Sequence, residues 1–427
     1  MSSLKDDLLA EILTFYMGSL DHNGIPLTEL SDRIVVDKAV LKKVLIELVS
    51  TNLATIAFCE HCGNPHIKRL PDLPISSQIE RLESGDFDGK NAYPSRSVLE
   101  TTVNKVDFEG RPFSLRVALG EAQLQPVFFD LAVLERYLND SRYRVKFNDF
   151  CGGISPQDMA NQPEALAEQD EVYLRTFGLG YDADKKKVIV AYLRYLAEMT
   201  PSHQQIWNAQ QVDESVCEPC LEYSANSING EFVPWVSVYE AVLAELEVMN
   251  GMAALMFRPP LFRITFDASQ SERPVEFMYL IRPTKKAYCE FAHLLDKMIS
   301  ENINQDFFLN DIEIESEVVR PDGKTEVSRK GSIALLEEWL RRNFVLENHS
   351  VFDTIVKTLK HVRKERQPSA HKLITNEYDV LFYEKQKTLI HDLYIALKYL
   401  RLVLALHPAA SKYEVPEYLQ KALIRSY

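Results

Sequence analysis

Arg366-Gln367-Pro368-Ser369-Ala370-His371 is the stretch on which the reading of this chain turns. It sets an always-charged guanidinium, able to fork two donors onto a phosphate, a short step from an imidazole that takes up and returns protons near neutrality. At that spacing the two are a candidate pair for cutting RNA without a metal. Upstream, Val351, Ile355, Val356, Leu359 and Val362 recur every three or four residues, which predicts an amphipathic helix. Pro368 lacks an amide donor and disfavours helical geometry in Gln367, so that helix is expected to end near Glu365, with the arginine at its end. Downstream, Tyr378, Leu381, Phe382, Leu389, Leu393, Leu397, Leu400 and Leu404 keep a helical period until His407 and Pro408 close it.

Lys357, Lys360, Arg363, Lys364, Arg366 and Lys372 stand against Glu365 alone, a local formal charge of +5 in a chain whose net charge is -14. An arginine, a polar residue and then a histidine near a helix junction in a helical domain resembles the signature of the HEPN superfamily. The resemblance implies a small helical bundle and a metal-independent ribonuclease of toxin or phage-defence systems, usually with two motif copies meeting across a homodimer. Arg366 matches the arginine, Gln367 the polar position and His371 the histidine. Gln367 departs from the Asn, Asp or His more usual there, and Pro368 is an uncommon interruption. A capping arginine and a partly buried junction histidine explain the same letters without chemistry.

At 427 residues and 46% hydrophobic content, the chain can bury sizeable cores and is long enough for two or three domains. Its acidity means that a nucleic acid would have to meet a local basic surface. Asp6, Asp7 and Glu11 stand where a signal peptide would be basic and then apolar, and no stretch has the length of uncharged apolar chain that a membrane span needs. A cytoplasmic protein with reduced thiols and no membrane contact is expected.

Residues 1–75 resemble a winged helix. Leu4, Leu8, Leu9, Ile12 and Leu13 mark a first helix, Leu27 to Ile34 a second, and Asp37 caps a third carrying Val40, Leu41, Val44, Leu45 and Leu48. Two extended runs, Leu53 to Phe58 and His66 to Leu70, would make the wing. The third helix carries Lys42 and Lys43 against Glu47, thin basic character for reading DNA, so protein contact or internal scaffolding is the favoured use. Cys59, His61, Cys62 and His66 sit on the wing, and Cys217 with Cys220 repeats the two-residue gap. Cys59, Cys62 and His66 are candidate zinc ligands, with Cys217 and Cys220 as completers, although ordinary reduced cysteines account for both pairs and no cofactor is expected.

Residues 76–235 form a mixed α+β region. Phe113 to Leu119, Tyr143 to Phe147 and Lys187 to Val190 look extended, Phe128 to Leu138 and Val190 to Met199 look helical, and Ile154 to Gln169 looks like a surface loop. His203, Gln204, Gln205 and Trp207, with Arg142 and Tyr143, are either a ligand groove or packing anchors. Residues 236–427 are mainly helical: Val238 to Met256, Thr284 to Asn302, Ser332 to Phe344 and the two runs around Arg366 make a five-helix set. A hairpin interrupts it, Ile312 to Val319 and Thr325 to Ser328 turning at Pro321, Asp322 and Gly323, and its glutamates suit a partner protein better than RNA. The fold class is thus mainly α with a mixed middle, a winged helix before it and a HEPN-like bundle with an inserted hairpin after it. No Walker loop, dinucleotide fingerprint or nucleophile elbow is present.

Two functions follow as expectations. One is an endoribonuclease with His371 as general base, Arg366 on the phosphate, and Arg363, Lys364, Gln367 and Lys372 along the RNA, working as a homodimer under an antitoxin or another protein partner. The other is a non-catalytic regulator or adaptor that binds partners or nucleic acid through its winged-helix and helical modules.

Overall fold

The computed structural model of the protein describes residues 3–19, 21–58, 67–157, 166–266, 273–309, 311–319, 325–348, 350–371 and 375–427, with the backbone alone at 317–319, 325–326 and 367–371. The chain forms two compact units, Met1–Val145 with Cys151–Cys220, and Lys146–Phe150 with Leu221–Tyr427. Helices, several small sheets and one larger sheet make it a mixed protein of α and α+β parts.

In the first unit, α1 (Leu4–Gly18) opens on a reciprocal cap in which the Ser3 side chain accepts from Asp6 N and the Asp6 carboxylate accepts from Ser3 N. After β1 (Ile25–Pro26) and α2 (Leu27–Arg33), Asp37 caps α3 (Lys38–Ser50) by accepting from Ala39 N at 2.8 Å. Leu8, Ile12, Leu27, Leu30, Leu41, Leu45 and Leu48 meet in one core, as their period requires. The wing is built differently from expectation. Strand β2 (Ala54–Phe58) pairs antiparallel with β3 (Lys90–Pro94), residues 67–70 form no strand, and the sheet runs in the order β1-β3-β2. Helix α4 (Ile75–Ser84) lies between β2 and β3 in sequence and is pinned by Gln78, which accepts from Ile56 N at 2.8 Å and donates to the Leu73 carbonyl. A buried amide thereby satisfies an edge-strand donor that would otherwise be orphaned.

After α5 (Arg96–Thr102), the segment expected to be extended at 113–119 is a helix, α6 (Pro112–Ala118). Pro112 presets its first turn, and Gln204 Oε1 accepts from both Phe113 N and Ser114 N, a cap supplied from some ninety residues away. Conversely, the run expected to be helical from Phe128 opens as strand β4 (Pro126–Phe129). Only beyond Asp130, whose side chain accepts from Ala132 N, does it coil into the turn 131–134 and α7 (Glu135–Leu138). Strands β5 (Tyr143–Phe147), β6 (Cys151–Pro156), β7 (Leu174–Tyr181) and β8 (Lys187–Tyr192) complete a sheet ordered β4-β8-β7-β6-β5. Ile154 to Pro156 thus belongs to a strand rather than a loop, and Val190 to Tyr192 to a strand rather than a helix. Helices α8 (Leu193–Ala197) and α9 (Pro201–Asn208) follow, and β9 (Glu218–Pro219) pairs with β7. Tyr16 donates to the Val117 carbonyl at 2.6 Å and Arg194 bridges Asp21 at 2.7 Å, so the N-terminal helices and the sheet share one unit.

The second unit begins with α10 (Leu221–Ser224) and β10 (Val236–Ser237), and then follows the predicted helix set: α11 (Val238–Leu255), α12 (Lys285–Met298), α13 (Ser332–Asn343), α14 (Ser350–His371) and α15 (Leu381–Leu404). Strands β11 (Glu315–Val319) and β12 (Thr325–Arg329) form the expected hairpin between α12 and α13. After α16 (Glu417–Gln420), β13 (Ile424–Arg425) lies parallel to β10. Helix α11 packs on α15, and α14 packs on α12, α13 and α15. Helix α14 does not stop at Glu365. It runs through Pro368 to His371, because proline removes only one ladder bond there and the turn before it is held by ion pairs described below.

Two buried ion pairs set registers inside this unit. Asp149, fully buried at φ 74°, receives a forked pair of bonds from Arg273 at 2.6 and 3.0 Å and a third from the Ser237 hydroxyl. Glu245, in the apolar run of α11, meets Arg401 of α15 at 2.6 Å, with burial pushing its carboxyl up and Arg401 pulling it back. Breaking a buried pair on one side strands a charge, so Arg401→Met should destabilise the protein by about 3–5 kcal/mol in urea unfolding. The double change Glu245→Leu with Arg401→Met should recover most of that loss.

Candidate functional site

Helix α14 carries the motif, and its two sides differ. Ile355, Leu359 and Val362 are buried, while Lys357, Lys360, His361 and Lys364 fall three or four residues apart on the exposed side. Arg363 and Arg366, one turn apart, flank the apolar stripe where α14 meets α12. Both reach Asp296, a fully buried carboxylate of α12: Arg363 Nε lies 3.3 and 3.4 Å from its oxygens, and Arg366 Nη1 lies 2.7 Å from Oδ2. Arg366 also donates to Glu301. The Glu301 carboxyl is held below its ordinary range, first by that hydrogen bond, and the Arg366 guanidinium is raised by the same bond. The Arg366 side chain keeps 28% of its surface exposed, so it is anchored at a rim rather than sealed in a core.

The basic face is partly neutralised. Lys360 bridges Glu337 at 3.2 Å, His361 lies 3.9 Å from Glu365, and Glu365 also accepts from the Tyr288 hydroxyl at 3.0 Å. Lys357 and Lys364 make no ion pair with any described residue. A helix turns about 100° per residue, which sets Arg366 and position 371 about 140° apart around the axis and brings position 371 close to the line of Lys357 and Lys364. Arg366 and position 371 therefore stand on different faces of one helix. Gln367 and His371 are placed by backbone only, and Lys372 lies outside the described residues.

Asp296 and Glu301 escaped the sequence reading, although Asp296 leaves a visible trace. It interrupts an apolar stripe of Phe291, Ala292, Leu295 and Ile299, and a lone charge in such a stripe demands a partner.

The other candidates separate from this site. Cys59, His61, Cys62 and His66 lie outside the described residues. Cys217 and Cys220 flank β9 and form no disulfide, and Cys217 is pushed up by burial and by Asp182, Asp213 and Glu214, a poor setting for a metal-binding thiolate. Among the described residues, no group of three His, Cys, Asp or Glu side chains is placed to hold a metal ion. On α3, Lys42 is spent on the C-terminal carbonyls of α4, donating to Gly85 O at 2.8 Å, which leaves Lys43 exposed.

The cluster around His203 belongs to the core. Trp207 Nε1 donates to the Tyr137 hydroxyl at 3.0 Å, that hydroxyl lies 2.8 Å from His203 Nδ1, and His203 Nε2 lies 3.3 Å from the Asp170 carbonyl. The Asp170 carbonyl can only accept, which puts a proton on Nε2, and in the neutral ring Nδ1 then accepts from the Tyr137 hydroxyl. Gln204, fully buried, caps α6 as described. These are packing anchors, not a groove.

No family model matches the chain, and neither a curated protein nor a solved structure matches it.

Burial lowers the His203 pKa. The unfolded chain therefore takes up a proton as pH falls through about 6.5, before the folded chain does, and stability present above that value is lost below it. His22, lowered by burial in the same way, acts in the same direction. Urea unfolding between about pH 7 and about pH 5 should show this loss, and a His203→Gln variant, though less stable at neutral pH, should lose less on acidification.

Proposed function

We propose that the protein acts on RNA as a metal-independent endoribonuclease of HEPN type, with its cutting site completed by a second copy of the chain. The observation that carries the reading is the place of the motif. It occupies the last turns of a helix that packs on α12, α13 and α15, beside an exposed row of Lys357, Lys360, His361 and Lys364 in a strongly acidic protein. Arg366 and position 371 stand on different faces of one helix, which supports drawing a pair that must meet on a single phosphate from two copies. Anchoring by Asp296 and Glu301 holds the Arg366 guanidinium in one place, and orientation is what a phosphate-binding group in a preorganised site needs.

In this reading His371 takes the proton of a ribose 2′-hydroxyl and the 2′-oxygen attacks the adjacent phosphorus. Arg366 offsets the charge growing on the phosphoryl oxygens. The 5′-oxygen of the next nucleotide leaves with a proton, giving a 2′,3′-cyclic phosphate and a 5′-hydroxyl end. Arg363, with Asp296 as its partner, steadies α14, and Lys364 with Lys357 steers the backbone. The N-terminal three-helix and three-strand arrangement serves as a winged-helix module for protein contact, since α4 takes up Lys42.

A second reading, a non-catalytic adaptor, draws on one specific observation: the Arg366 guanidinium already holds two carboxylates. Mixing separates the two. Arg366→Ala and His371→Ala should each abolish cleavage of a labelled RNA in EDTA, while the two refolded together should regain about one quarter of wild-type activity, because random pairing gives half mixed dimers with one intact site each. If neither variant changes what the wild type does to RNA, the adaptor reading stands.

A further inference from the structure

One groove of the second unit lies between the segment before β11 and the β11–β12 hairpin. It encloses about 930 Å³ between the segment 305–314 and one face of the hairpin. Leu309, Ile312 and Val327 are its apolar lining, and Leu309 and Val327 remain exposed. Its rim is acidic, with Asp306, Glu313 and Glu315 set against Arg329, whereas Lys330 is engaged by Glu338 at 2.7 Å.

The strand beside the groove is an unfilled edge. Lys330 N donates to Ile314 O, which makes 314 with 330 a hydrogen-bonded pair; the next such pair is 316 with 328. The amide and carbonyl of Glu315 therefore point away from β12. Among the described residues, the two strands form a sheet of their own with no third strand on that edge. An edge of this kind is a template for an added strand.

We propose that the hairpin binds an extended segment of a partner protein as a third strand along β11, with lysine or arginine at alternate positions. A residue directly opposite Glu315 lies on the same face as its carboxylate, and Glu313, two residues before the start of β11, lines the same groove beyond the end of the strand. Basic side chains at i and i+2 therefore meet both acids, and their aliphatic stems lie on Leu309 and Ile312 while their charged ends reach the rim. The net negative rim selects against nucleic acid and acidic peptides. The proposal is independent of whether the chain cuts RNA.

The test uses the full chain and an acetylated, amidated peptide of sequence Thr-Lys-Thr-Arg-Thr-Lys-Thr bearing a fluorophore, followed by anisotropy. The prediction is saturable binding that weakens at least about tenfold when the peptide's alternate pairing amides are N-methylated, and as much when the bases are grouped together at constant composition. The isosteric double change Glu313→Gln with Glu315→Gln should cause a similar loss without disturbing the fold, checked by an unchanged thermal midpoint, and Leu309→Asp gives an independent second variant. Equal binding by the N-methylated peptide, by the grouped isomer or by a glutamate version would overturn the proposal. So would full binding by the double variant, a preference of the hairpin for an RNA oligonucleotide, or no binding up to about 1 mM peptide.

Discussion

The placement of α14 in the second unit depends on a single carboxylate that has no access to water. Asp296 sits fully buried on α12, where an unpaired charge would cost several kcal/mol, so cations brought to it offset that cost. Arg363 and Arg366 do so from one side of α14. Because they are one turn apart, their engagement fixes the rotation of α14 as well as its position. With that rotation set, Ile355, Leu359 and Val362 must face inward, and Lys357, Lys360, His361 and Lys364 must face out. The exposed basic row and the direction in which the motif leaves the bundle are both consequences of this one buried group.

The long helices were legible because burial along them repeats at the helical period. Leu41, Leu45 and Leu48, or Leu389, Leu393, Leu397, Leu400 and Leu404, declare both an element and its inward side. Short segments were not, since their conformation is decided by distant atoms. Residues 113–119 carry an apolar run that suits a strand, yet a proline at the start and a glutamine from α9 on the first free amides make it a helix. Residues 126–129 do the reverse, drawn into a strand by pairing with β8. Pro368 was a sound warning about geometry, but a proline in the last turn interrupts little of a helix whose preceding turn is tied down at two arginines.

The site was half legible. Arg363, Lys364, Arg366 and His371 announced themselves by residue type and charge density. Their electrostatic partners did not, because Asp296 lies 67 residues from Arg363 and no local pattern joins them. The same gap explains His203 and Trp207, which in sequence could line a groove and in three dimensions form a closed donor chain with Tyr137. Charge is the wider theme of the second unit. It places cations on the outside of α14 and carboxylates on the hairpin groove, so the two surfaces carry opposite charge.

The most direct measurement is a double-mutant cycle between Asp296 and Arg366, using Asp296→Ala, Arg366→Ala and the pair in urea unfolding. If the buried carboxylate is what holds α14, the two changes should be strongly non-additive, with a coupling of about 1–3 kcal/mol and the double variant little worse than Asp296→Ala alone. Additivity within about 0.5 kcal/mol would mean that the two groups do not depend on each other, and that Asp296 does not set where Arg366 stands.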